Sequence, residues 1–213
     1  TNSIDVSYDP AIECALEFNT LNIETPKDYI AVNLRDFPFE YSNQNNSNNI
    51  NEELKFFIKE LSLKYKDREI RLIPMHYFHI GGDDRLFLNE IALELNVDNI
   101  KVQNSNLTLK ETIEVYQDAY FNIGMRFHSI VLQAIVSGKN YILDYTEPEK
   151  GKISGFLNDI DGGNFFKDRY FSLQKEKATI DILQNENSKF NYSEEGVLDS
   201  LNIYVKKLKD FER

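Results

Sequence analysis

Five short apolar runs, rich in β-branched residues and separated by segments of helical periodicity, constrain this chain more than any other feature. They are Tyr29 to Arg35, Ile70 to Met75, Ile100 to Gln103, Ala119 to Ile123 and Tyr141 to Asp144. Runs that are continuously apolar, rather than alternating, belong to strands covered on both faces. Between them Leu54, Phe57, Ile58, Leu61 and Tyr65 share one helical face, as do Leu88, Ile91, Ala92 and Leu95. Leu109, Ile113 and Tyr116 form a third such face, and Phe127, Ile130, Val131 and Ala134 a fourth. Thr108 and Glu111 have the spacing of a capping box, and Gly138 stands where a helix ending near Ser137 needs a left-handed residue. The alternation predicts an α/β fold, a Rossmann-like parallel sheet of about five strands with helices on both faces. Such sheets bind ligands at the carboxyl ends of their strands.

The length of 213 residues suits one large domain or two small ones. The expected division is residues 1–28, a linker and short helix following a preceding domain, and residues 29–213, the α/β domain with its C-terminal helix. In the first part Ile4 to Phe18 reads as a strand end, a turn at Asp9-Pro10 and a short helix, and the chain opens on Thr1 rather than Met. The Asn-rich stretch from Asn43 reads as a surface loop, with Asn49 or Asn51 capping the helix that follows. A last helix is expected from about Ser193 to Phe211, its acids Glu194 and Glu195 and its bases Lys206, Lys207 and Lys209 matching the helix dipole.

Charge narrows the partners: 24 Lys and Arg against 35 Asp and Glu leave −11, so the surface as a whole repels nucleic acid and anionic lipid. An anion site must therefore be local. A lone cysteine, Cys14, supplies neither a disulfide framework nor a thiolate metal cluster. No apolar run reaches the roughly 20 residues of a membrane-spanning helix, the first residues lack the basic and hydrophobic regions of a signal peptide, and a cytoplasmic location is expected. The glycine-rich phosphate loops of dinucleotide enzymes and NTPases are missing from the sequence, as is a nucleophile elbow.

The densest chemical segment is Asn122-Ile-Gly-Met-Arg-Phe-His-Ser129, where a buried strand stops, a glycine permits a sharp turn and a helix begins. Free N–H groups at that helix start favour an anion, Arg126 adds a planar fork for carboxylate or phosphate, and His128 exchanges protons near neutral pH. The plain alternative is a helix start with a solvent-facing Arg and a His bonded to a neighbouring carbonyl. Arg35 closes the first strand and is expected at the same sheet edge, where two guanidinium groups answer a doubly anionic ligand; otherwise it pairs with Asp36 or Glu40. His76 ends the second strand and can therefore also face the cleft. Asp83 and Asp84, at a helix start, read as an N-cap and a dipole partner rather than a metal site. Tyr145 ends the fifth strand, where it can donate a hydrogen bond or stack, and Lys152 follows in the next connection as a point charge for phosphate.

Taken in order, these pieces resemble the polysaccharide pyruvyl transferase family, specifically its C-terminal half. They are Asp9-Pro10-Ala11, the strand ending at Arg35, the Pro74-containing strand followed by Asp84, and the capped helix leading to Asp118. The most specific are Gly124 to Ser129, Ala134 with Gly138-Lys139, then Tyr145 and Lys152-Ile153 before Phe156-Leu157; Asn140 departs from a pattern that commonly has proline there. The resemblance implies one half of a GT-B-like fold, a preceding N-terminal domain, and transfer of pyruvate from phosphoenolpyruvate to a sugar as a ketal. The sugar acceptor is expected on a nucleotide or lipid carrier, and no metal or cofactor is required beyond the donor substrate. By position Arg35, Arg126 and His128 match the family's enolpyruvate-binding residues. His128 is the expected acid or orienting donor, with Arg35, Arg126, His76, Ser129, Tyr145 and Lys152 expected to bind substrate. Two other readings stay open: a GT-B glycosyltransferase half that binds a nucleotide sugar, and a non-catalytic binding domain.

Overall fold

The computed structural model describes residues 9, 11–18, 27–41, 47–161, 164–192, 202 and 206. Its strands are β1 (Tyr29–Val32), β2 (Glu69–Leu72), β3 (Ile100–Val102), β4 (Asn122–Gly124), β5 (Asn140–Asp144) and β6 (Tyr170–Ser172). The helices among these residues are α1 (Ala11–Phe18), α2 (Ser47–Lys64), α3 (Asp84–Leu95), α4 (Leu109–Asp118), α5 (Phe127–Val136) and α6 (Lys152–Asp161). The strands form one sheet in the order β3-β2-β1-β4-β5-β6, and every neighbouring pair is parallel. This is the Rossmann-like α/β order, which runs outward in one direction from β1 and in the other from β4.

Right-handed crossovers then set the layers. Helices α2 and α3 cover the β1–β2–β3 side and pack on each other, while α4, α5 and α6 cover the opposite face, with α1 laid across α4 and α5. Lys55 of α2 ties the first pair together, its Nζ lying 2.7 Å from Glu90 and 2.9 Å from Glu94 of α3. The central strands are buried on both faces; in β5 Tyr141, Ile142 and Leu143 are fully enclosed, each such side chain contributing about 1.5–3 kcal/mol of burial. Helix α1 belongs to the same core through Ile12 and Ala15, and Asp9 opens it by accepting the N–H of Ala11 at 2.9 Å.

β1, β2 and β3 end earlier than the apolar runs predict, at Val32, Leu72 and Val102, although Asn33, Ile73 and Gln103 each still donate a backbone N–H to the neighbouring strand; β4 begins later, at Asn122, and β5 one residue earlier, at Asn140. β6 is the strand that periodicity missed: Tyr170-Phe171-Ser172 is neither a continuous apolar run nor fully buried, and pairing with β5 defines it. The capping box at Thr108 and Glu111 is present, and Gly138 has φ of +66°. Asn49 and Asn51 are not caps, since α2 already begins at Ser47; Asn51 instead accepts the N–H of Phe37 at 2.9 Å and bonds Asp36. Gly124 is not a turn residue either. Its backbone is not left-handed, and what it supplies is closeness: a Cβ there would lie 2.6 Å from Oε1 of Gln133 and 2.9 Å from Ile130, both on α5. The strand end at Ile4 and the turn residue Pro10 lie outside the described residues, as does the expected C-terminal helix apart from Asn202 and Lys206. Among the described residues no helix is long and apolar enough to cross a membrane.

Candidate active site at the reversal of strand order

Between β1 and β4 the strand order reverses, and the loops leaving their carboxyl ends diverge to opposite faces of the sheet. Arg35 leaves β1 on one side of this point and Arg126 leaves β4 on the other. Both line a cavity of about 760 Å³, with His76, Asp84, Asn51 and Leu86 also in its wall.

Arg126 is the N-cap of α5, in extended conformation and without a side-chain cap, so the first N–H groups of the helix keep the positive end of its dipole uncovered. Two buried polar residues hold it. Asn33, fully enclosed at the end of β1, accepts the N–H of Arg126 at 2.9 Å and donates its amide to the carbonyl of Ile73 at 2.9 Å, linking the ends of β1, β2 and β4. Asp84, 2 % exposed at the start of α3, receives Nε of Arg126 at 2.9 and 2.8 Å on its two oxygens and Nη2 as well. Arg35 donates Nε to the carbonyl of Asp36 at 3.1 Å and lies over the ring of Tyr145, 5.3 Å from its centroid. Tyr145 is buried, with Tyr41 edge-on at 5.6 Å. It thus shapes the support under Arg35.

His76 turns its Nδ1 to the carbonyl of Gly82 at 2.8 Å; a carbonyl only accepts, so Nδ1 carries a proton, and Nε2 is the nitrogen left to other partners. The turn that brings Gly82 back requires left-handed backbone at Gly81 and Gly82, with φ of +87° and +86°. Asp83 caps α3 by accepting the N–H of Arg85 at 3.0 Å, and the Arg85 guanidinium holds its carboxyl below the usual carboxylate range. Both acids of this helix start are therefore committed to arginines.

The other expected site residues stand apart from the cavity wall. His128 is exposed at the start of α5, its side chain 62 % accessible, with Nε2 3.5 Å from Asp9 at the head of α1. Ser129 points inward: it is fully buried, 2.9 Å from the hydroxyl of Tyr116, and accepts Nε2 of Gln133 at 2.8 Å. Burial pushes the Tyr116 phenol up. Lys152 opens α6 on the surface, its Nζ 5.2 Å from the Phe127 ring centroid. Sequence reasoning missed Asn33 and the role of Asp84. The signals were an amide inside an apolar run and a second acid where one suffices to cap a helix.

The sequence model of the polysaccharide pyruvyl transferase family matches residues 2–140, from ahead of α1 to the first residue of β5. The chain belongs to that family. The matched stretch holds Arg35, His76, Asp84, Arg126 and His128, and ends before Tyr145 and Lys152. Comparison with curated proteins and with solved structures returns no match. A polysaccharide pyruvyl transferase domain is a transferase domain, so the cavity between β1 and β4 is the candidate active site.

Proposed function

We propose that this domain binds phosphoenolpyruvate between Arg35 and Arg126 and takes part in moving its pyruvyl group onto two hydroxyls of one sugar, as a ketal, in surface-polysaccharide synthesis. The observation that carries the reading is that two guanidinium groups, from loops on either side of the strand-order reversal, line one cavity beside an uncapped helix N-terminus. Phosphoenolpyruvate presents a carboxylate and a phosphate, the two anions that planar forks and helix N-termini bind best.

The reaction asks little more of the protein than charge, placement and a proton. Protonation of the methylene carbon makes the neighbouring carbon electrophilic, and a sugar hydroxyl adds there as it loses its proton. A second hydroxyl of the same sugar then displaces phosphate, which leaves with the second proton. His128, two residues after Arg126 but exposed outside the cavity wall, is the proposed acid or orienting donor, with His76 in that wall as the second candidate for the proton, and Tyr145, through its contact with Arg35, steadies the donor side. The sugar acceptor, on its nucleotide or lipid carrier, is gripped in part by a preceding domain.

Calorimetry on the 213-residue chain tests this directly. Phosphoenolpyruvate should bind weakly, and more weakly as salt rises, because the site is local positive charge on an acidic protein. Absence of phosphoenolpyruvate binding together with clear binding of a uridine or guanosine diphosphate sugar overturns it in favour of a nucleotide-sugar site.

A further inference from the structure

We propose that Asp84 is the positioning residue of this cavity, fixing the Arg126 guanidinium and the backbone of His76 in one frame and acting on a ligand only through them. The proposal builds on the reading of the cavity as a phosphoenolpyruvate site.

The carboxylate of Asp84 is met from three directions. Oδ2 accepts the N–H groups of Met75 and His76, each at 3.0 Å, while both oxygens take the Nε and Nη2 edge of Arg126. The peptide N–H of Asp84 in turn donates to the carbonyl of His76 at 3.0 Å, so residues 84 and 76 are tied twice. Lying in the first turn of α3, the carboxylate also meets the positive end of that helix. An ionised group this deeply buried is tolerated only when its lone pairs are satisfied, and here they are.

A buried ion pair is weak evidence of stabilisation, because apolar residues of similar volume would serve as well. What apolar residues could not supply is orientation. By holding the Nε and Nη2 edge, Asp84 leaves Nη1 as the guanidinium donor with no recorded partner among the described residues, in a side chain that lines the cavity. Through the N–H of His76 it also anchors the loop whose return at Gly82 fixes the imidazole tautomer.

Asp84 also carries negative charge beside an anion site, so charge and placement must be separated. Asp84→Glu does so, since it keeps the charge and moves the carboxylate outward by one methylene. Phosphoenolpyruvate affinity should fall about tenfold or more in Asp84→Glu, and by less than about twofold when the same change is made on Arg126→Lys, because residues acting through one another are not additive. Unchanged affinity in folded Asp84→Glu, or the same loss on both backgrounds, overturns the proposal. Asp84→Asn adds a second check: tighter phosphoenolpyruvate binding there overturns positioning in favour of simple charge opposition.

A second measurement needs neither variant nor ligand. In arginine side-chain NMR of the unaltered chain, Nε–Hε of Arg126, assigned by its loss in Arg126→Lys, should exchange with water markedly more slowly than that of Arg35. Exchange as fast as at Arg35 overturns the proposal even if both acid variants fail to fold. Slow exchange without phosphoenolpyruvate binding retains the clamp and rejects the donor reading instead.

Discussion

The backbone N–H of Arg126 donates to Oδ1 of Asn33 across 93 residues of sequence, at 2.9 Å, while the amide of Asn33 reaches the carbonyl of Ile73. One buried side chain thereby fixes the spacing between the two strand ends that flank the cavity. Asn33→Ala strands the N–H of Arg126 and the carbonyl of Ile73 at a fully buried position, and should cost about 1–3 kcal/mol of stability. Urea unfolding measures this. A loss below the error of the fit would mean that the loops relax to satisfy one another.

Arg126 and Arg35 are expected to act by fork geometry as well as by charge. Lysine at either position keeps the charge but loses the planar group, and at Arg126 also the edge by which Asp84 orients it, so each substitution should weaken phosphoenolpyruvate binding by about 1.5–3 kcal/mol. Calorimetry of the two variants beside the unaltered chain reads the loss, and circular dichroism checks that the fold persists. Equal affinity in Arg35→Lys would place the ligand wholly on the Arg126 side.

His128 and His76 divide the proton question. In an enzyme that includes the preceding domain, His128→Gln should lower turnover by about 10²–10⁴-fold with a smaller effect on binding, and should remove a limb of the pH profile. Normal turnover with an unchanged profile makes His128 a tie to Asp9 only. Loss of the limb in His76→Gln instead would assign the proton to the imidazole within the cavity wall.

Gly124 should accept no side chain without movement on α5. The added Cβ of Gly124→Ala meets Gln133 and Ile130, so these side chains, or the helix that carries them, must shift, at a cost of about 1–3 kcal/mol. Arg126 begins that helix, and phosphoenolpyruvate affinity should fall with the stability. Thermal unfolding and calorimetry on the same sample test both; a fully stable variant would show that Gln133 simply swings aside.

Alkali should unfold the domain through its tyrosines. Burial pushes Tyr141 up to about 12 against the ordinary 10.0, and raises Tyr29, Tyr116 and Tyr170 as well, Tyr170 further through its bond to Asp144. The unfolded chain therefore ionises first. The stability these phenols contribute is complete below pH 10 and is lost progressively as pH climbs through the folded values. Urea unfolding at stepped alkaline pH should show a falling midpoint, and tyrosinate absorbance from Tyr116 should rise only on unfolding. A flat midpoint through pH 12 contradicts the assignment.

Local pattern determined the first five strands, helices α1 to α5, the start of α4 and the end of α5, because burial on both faces and helical periodicity act within a few residues; β6 and α6 it left out. It also singled out Arg35, His76 and Arg126, since a charged residue at the carboxyl end of a buried strand has only the sheet edge to occupy. Strand order, which sets Arg35 and Arg126 either side of one reversal, is decided by pairing and crossover handedness across the whole domain. The inward turn of Ser129 depends on Tyr116 and Gln133, and the outward place of His128 on the packing of α1 against α5. Gly124 is legible as a glycine, but its purpose is set by the approach of α5. Asn33 and Asp84 gained their functions only in three dimensions, for a buried polar side chain is defined by the groups that satisfy it, and apart from the nearer N–H groups of Met75 and His76 those lie 40 to 93 residues away in the chain.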